Sequence, residues 1–176
     1  GGYASYPMLR QGAKRKIPTA VHESNAVPGL TTKMVAKGAE RILVNFEESR
    51  QQYDNPERVV VTGMPVRPEF LYTSRSDARR QLGLDERPLV LTYWGSLGAR
   101  EMNKKIAAFM AREVAEGDPW HHIHATGRYE KPRFPGLLAE AGVDPSDPGL
   151  DVREYINDMA DCLADADLVI SRSGAM

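Results

Sequence analysis

The sequence predicts an α/β protein made of two Rossmann-like, doubly wound domains. Three observations predict it. Short apolar, strand-like runs alternate with helix-like runs along the whole chain, the pattern of βα units around a parallel sheet. The rhythm breaks once, over residues 65–76, where Pro65, Pro68 and a polar run at 73–76 read as an interdomain connection. Small or glycine-rich turns follow several strand-like runs, and open α/β sheets bind ligands at the carboxyl ends of their strands.

In the first half, residues 18–21, 41–44 and 59–62 read as strands, and 30–38 and 47–53 as helices. Gly63-Met64-Pro65 closes the third strand. Roughly three strands make only a small core of their own. In the second half, a helix over 77–82 should stop at Gly83, and 89–93 is a strand. Residues 98–116 form the strongest helix, with Met102, Ile106, Phe109, Met110 and Val114 on one face at helical spacing. A strand at 121–126, a helix at 135–141 and a strand at 152–156 follow. A helix over 158–164, capped by Asn157 or Asp158, precedes a last strand at 168–171.

Composition narrows the class. At 41% hydrophobic and 27% charged residues, the 176-residue chain reads as globular, with room for one ordinary domain or two small pieces. A net charge of -1 argues against a broad nucleic-acid surface. No run of 18 apolar residues is present, so no membrane span is expected. Cys162 is the single cysteine and cannot form an internal disulfide, which suits a reducing compartment. The chain opens at Gly1-Gly2-Tyr3 and ends at Met176 after a strand-like run, so both ends read as cuts through a larger protein and both domains as incomplete.

The most informative segment is His22-Glu23-Ser24-Asn25-Ala26-Val27-Pro28-Gly29, between a strand-like and a helix-like run. His22 and Glu23 could form an acid–base pair; a structural role at the strand end is the competing reading. Trp94-Gly95-Ser96-Leu97-Gly98-Ala99 joins a strand to the long helix. Small residues there let the backbone approach a ligand, and helix N–H groups favour a phosphate, although a tight turn also needs glycine for steric reasons alone. Arg67 follows a proline turn and reads as a ligand contact or a solvated cation. His122 and His124 share one side of a strand. They could begin a metal site, but without a suitably spaced Cys or carboxylate a solvated strand face is the better expectation and no metal is expected. Met8, Leu9, Arg10, Lys14, Arg15 and Lys16 form a basic-apolar cluster, either a solvated helix end or a contact with an anionic membrane surface.

These segments, in order, resemble one family: the bacterial UDP-N-acetylglucosamine transferases that complete lipid II for peptidoglycan (MurG). HESNAVPG matches that family's HEQNAVPG in seven of eight positions, with Ser24 for Gln. The run at Gly1-Gly2-Tyr3 resembles its GGYxSxP loop, Pro65-Val66-Arg67 its NPVR with Met64 for Asn, and residues 94–99 its GGSxGA loop with Trp94 for the first glycine. Tyr155-Ile156-Asn157-Asp158-Met159-Ala160 and Ser171-Arg172-Ser173-Gly174-Ala175 resemble its FIDDMA and SRSGA segments.

The resemblance implies two paired Rossmann-like domains, the GT-B arrangement, with residues 1–67 from the acceptor-binding domain and 68–176 from the donor-binding domain. It implies inverting transfer of N-acetylglucosamine from UDP-N-acetylglucosamine to lipid I, with no obligatory cofactor. Asn25, Arg67, Ser96, Ile156, Ala175 and Met176 would contact the donor, and Gly1, Gly2 and Tyr3 the acceptor diphosphate. It also implies peripheral attachment at the cytoplasmic face of the bacterial inner membrane. The family's favoured general base and its Thr-x-x-Glu contact have no counterpart in these residues, so the isolated chain is expected to turn over little. Two alternatives remain: a non-catalytic nucleotide-sugar-binding piece, and a sugar-nucleotide epimerase of similar fold, against which the His22–Gly29 motif argues.

Overall fold

A computed structural model describes residues 3–172 of the chain. They form two compact units, divided between Val66 and Arg67.

The first unit holds a parallel sheet of three strands, β1 (Ala20–Glu23), β2 (Arg41–Val44) and β3 (Val59–Val61), in the order β1-β2-β3. α1 (Tyr6–Lys14) and α2 (Leu30–Ala36) pack against each other. Alternate residues point inward, and Val21, Ile42, Val44 and Val59 meet Val35, Ala36, Ala39 and Tyr53 in one small core. Burial of such apolar surface is what holds a sheet of this size.

Two expectations shift here. The first strand runs Ala20–Glu23 rather than over 18–21, so His22 and Glu23 lie in the strand itself. Residues 47–53 give a 3-10 turn, Glu47–Gln52, in place of an α-helix. The basic-apolar cluster lies on or just after α1, a helix with Pro7 in its first turn, where the missing N–H costs nothing.

The second unit is a doubly wound sheet of four parallel strands: β4 (Leu89–Tyr93), β5 (His121–Ala125), β6 (Leu150–Arg153) and β7 (Leu168–Ser171), in the order β6-β5-β4-β7. The chain steps outward from β4 through β5 to β6, then returns to the other side of β4. That reversal makes the β4/β7 boundary the topological switch point, the usual ligand crevice of such sheets. On one face, α5 (Arg100–Ala115) and α6 (Phe134–Glu140) pack over Trp94, Ile106, Met110 and Leu138. On the other, α4 (Arg75–Leu82) and α7 (Met159–Asp165) cover Leu89, Leu91, Ile123 and Cys162. Burial pushes the Cys162 thiol up to about 12, so it is an inert packing residue.

Ser74 caps α4 by accepting from Asp77 N at 3.2 Å, and Gly83, in the left-handed region at φ 68°, ends it as the sequence predicts. Within the expected connection, Glu69–Tyr72 folds as a short helix, α3, packed on α7. The strand expected over 152–156 is instead Leu150–Arg153, because Arg153 is tied to Asp151 and Asp158 and the chain leaves the sheet there. Asp158 occupies the N-cap position of α7 without a side-chain cap bond; its carboxylate serves Arg153 at 2.6 Å.

Candidate functional site

The first unit's site is the turn after β1. Strand alternation sends Glu23 inward, 5% exposed, and leaves His22 half-buried on the opposite side. They therefore make no acid–base pair. The Glu23 carboxylate accepts from Asn25 N at 3.1 Å, Asn25 Nδ2 at 2.8 Å, Gly29 N at 3.1 Å and the Thr32 hydroxyl. Burial alone would raise its pKa. The bonds from Thr32, Asn25 and Gly29 more than offset that and lower it from 4.5 to about 2. With its lone pairs so engaged, Glu23 shapes the turn and is a poor proton acceptor.

His22 Nε2 donates to Asn45 Oδ1 at 3.2 Å, and Asn45 Nδ2 donates to Ser24 O at 2.9 Å. Ser49 Oγ braces Ala26 O at 2.9 Å. Asn25 stays exposed while its backbone and side-chain nitrogens are both held by Glu23. Sequence reasoning missed Asn45, Ser49 and Thr32. Asn45 and Ser49 lie far from the motif with nothing local to mark them, and Thr32, three residues past Gly29, looks like an ordinary helix residue of α2.

The second unit's site is the turn after β4, at the switch point. Trp94 is 5% exposed and packs into the α5/α6 face, edge-on to His124 with ring centroids 6.2 Å apart. It does not close the loop. Gly95, Ser96 and Leu97 are exposed. Gly95 and Gly98 have φ of 86° and 85°, values that favour glycine.

A second loop, Thr126-Gly127-Arg128, follows β5 and is joined to the first through the main chain. Arg128 N donates to Ser96 O at 3.0 Å. A Cβ on Gly98 would collide with Thr126 O, and one on Gly127 with Gly98 N. Asn103 Nδ2, from the first turn of α5, donates to Thr126 O at 2.9 Å. The N-cap residue Ala99 offers α5 no side-chain acceptor, so the first N–H groups of a 16-residue helix stay open to an anion. Read alone, the 126–128 loop is an ordinary strand-end turn; the glycine directly after a strand was its one signal.

His122 and His124 overturn the solvated-face expectation: they are 1% and 0% exposed. Their polarity is met by partners distant in sequence. His122 Nδ1 is 2.8 Å from Glu113 Oε2, and Thr92 Oγ1 lies 2.9 Å from His122 Nε2 and 2.6 Å from His124 Nδ1. Trp120 Nε1 donates to Glu113 as well. The chain of bonds ends at His124 Nε2, which has no partner among the described residues. Burial, then the neighbouring His122, lowers His124 from 6.5 to about 3, so the ring is neutral. Among the described residues no group of three metal-ligating side chains gathers.

The other expected contacts are scattered. Arg67 is exposed, 3.2 Å from Glu69 and over the Phe70 ring at 4.9 Å. Ile156 is 2% exposed in the core beneath α7, so it can offer a ligand only its backbone. Tyr3 is 89% exposed in a 3-10 turn. Gly1, Gly2, Ala175 and Met176 lie outside the described residues.

An all-parallel, doubly wound unit with an exposed glycine loop at its switch point has the architecture of the nucleotide-binding α/β folds. Residues 89–176 match the glycosyltransferase family 28 C-terminal domain and residues 1–44 its N-terminal domain. The chain belongs to glycosyltransferase family 28. Within it, the chain is similar along its length to UDP-N-acetylglucosamine--N-acetylmuramyl-(pentapeptide) pyrophosphoryl-undecaprenol N-acetylglucosamine transferases. The relative from Acetivibrio thermocellus is 37% identical, over 100% of this chain and 47% of its own. That from Desulforudis audaxviator is 40% identical, over 99% and 47%. The chain thus spans about half the length of the curated relatives it matches. Among solved structures, MurG of Acinetobacter baumannii superposes with a TM-score of 0.62 at 27% identity, covering 99% of this chain and 46% of that one. HepE of Anabaena, in complex with UDP and glucose, shares the fold at a TM-score of 0.55 and 16% identity, over 93% and 50%.

Proposed function

We propose that this chain carries part of an inverting hexosyltransferase that moves N-acetylglucosamine from UDP-N-acetylglucosamine to lipid I, forming lipid II in peptidoglycan synthesis. One observation carries the reading: the exposed turn Gly95–Ser96–Leu97, at the switch point and before an uncapped α5, in a chain 37% and 40% identical to transferases of that name. Departure of UDP builds negative charge on a phosphate. Helix N–H groups and loop amides stabilise such charge without a metal or other cofactor. Ser96 stands at that end.

In this reading residues 1–67 serve the acceptor, with Gly1, Gly2 and Tyr3 near its diphosphate, and residues 68–176 serve the donor. Asn25, Arg67, Ser96, the Ile156 backbone, Ala175 and Met176 contact the donor. Glu23 holds Asn25 in place, and His22 fixes the same turn through Asn45. Exposed Met8 on α1, with Arg10, Lys14, Arg15 and Lys16, suits contact with anionic headgroups at the cytoplasmic face of the inner membrane. No helix among the described residues is long and apolar enough to cross a membrane.

Calorimetric titration of the chain with UDP-N-acetylglucosamine, UDP-glucose and GDP tests the donor site. We expect selective binding of the first, weakened about three- to tenfold by Ser96→Ala, the loss of one hydrogen bond to a charged group. Equal affinity for GDP would sink the reading.

A further inference from the structure

We infer that Arg128 is a binding residue for the diphosphate of a nucleotide ligand at the Ser96 loop; this rests on the donor-site reading above.

Most arginines around this sheet are already committed. Arg75, Arg79, Arg80, Arg87, Arg133 and Arg153 each face a carboxylate. Arg128 is exposed and its guanidinium makes no ion pair or hydrogen bond among the described residues. Carboxylates are close in the chain and in the fold, yet they are engaged elsewhere or stand apart. Glu130 is buried beside Arg133 at 3.3 Å. Glu154, whose carbonyl accepts from Gly127 N at 3.1 Å, leaves its side chain exposed and makes no ion pair with Arg128.

The main chain places this free cation. Arg128 N is bonded to the carbonyl of Ser96, so the two residues begin side by side at the carboxyl ends of β4 and β5. A guanidinium there presents a planar fork of donors, the geometry that matches phosphate oxygens in pairs. Because the bond to Ser96 uses backbone atoms, exchanging the Arg128 side chain leaves the loop where it is. Its loss therefore reports the guanidinium alone. A diphosphate carries more charge beside the loop than a monophosphate, so the contact should discriminate between them.

The test is titration of the chain and its Arg128→Ala and Arg128→Lys variants with UDP and with UMP, alongside thermal melts. We expect Arg128→Ala to weaken UDP about tenfold and UMP less, with an unchanged melting temperature, and Arg128→Lys to recover part of the loss. UDP affinity within about twofold of wild type in Arg128→Ala, or equal losses for UDP and UMP, overturns the inference while the donor site stands. Failure of the wild-type chain to bind UDP overturns both.

Discussion

The two ends of the β6-β5-β4-β7 sheet use charge in opposite ways. Where the strands begin, charges are spent on one another. Arg79 Nε reaches Asp165 at 2.9 Å, Arg75 reaches Asp165 at 3.4 Å and Asp167 at 2.6 Å, and Asp167 also accepts from the backbone N of Leu89 at 2.9 Å. Asp85 holds Arg87 at 2.9 Å and His121 at 2.7 Å, and these partners keep its carboxyl well below the ordinary range. At the other end, Ser96 and Arg128 are left exposed on glycine turns before an uncapped helix. One end staples the helices to the sheet. The other leaves its polar side chains exposed, where the proposed ligand would meet them, and perturbing each should move a different observable.

The largest expected effect is on the stapled end. Asp165 is fully buried and joins two arginines. Asp165→Ala leaves the largely buried Arg79 without a carboxylate, while Arg75 keeps Asp167, and we expect a loss of about 3–5 kcal/mol of stability by denaturant unfolding. UDP affinity of the folded fraction should not change. A parallel fall in UDP affinity would show that the two ends are not independent.

Next comes Gly127→Ala. At φ 82° its new Cβ meets Gly98 main chain, so the two turns must part. The left-handed conformation alone costs about 1–2 kcal/mol. We expect UDP affinity to fall at least about tenfold by calorimetry, for a smaller loss of stability than Asp165→Ala gives. Unaltered UDP binding would break the idea that the second turn positions the first.

The smallest effect at neutral pH, and a growing one in acid, belongs to His124. Its folded pKa, about 3, lies below the ordinary 6.5, so the unfolded chain takes up the proton first. The stability contributed by the neutral ring is complete above pH 6.5 and is lost as pH falls from there towards 3. Melting temperatures of wild type and His124→Gln, followed across that window, should differ little near neutrality and separate on acidification, the wild type falling faster. Parallel curves would mean that the ring is not held neutral.

The sequence made much of this legible. Strands at 41–44, 89–93 and 168–171 are runs rich in Ile, Leu and Val with polar or turn neighbours, and the structure places all three as read. The Ser96 turn was visible because glycine and serine between a strand and a helix have few uses. What escaped reading depends on partners far along the chain. Nothing near His122 announces Glu113 and Thr92, so a polar–apolar alternation at 121–126 looked like a wet face. The helix Tyr6–Lys14 carries a glycine, a proline and three basic or amide residues, which leave only a thin apolar stripe. Glu23 looked reactive because its four donors come from a turn whose path only the fold fixes.

The coupling of the two turns through backbone atoms has a consequence for how such a site can diversify. Gly98 and Gly127 are locked, since neither can gain a single carbon without moving the main chain of the opposite turn. The side chains at 96, 97 and 128 project outward from a frame that does not depend on their identity. If the proposed donor site holds, substitution at those three positions retunes which phosphorylated ligand is preferred while the frame, and the fold beneath it, is inherited unchanged.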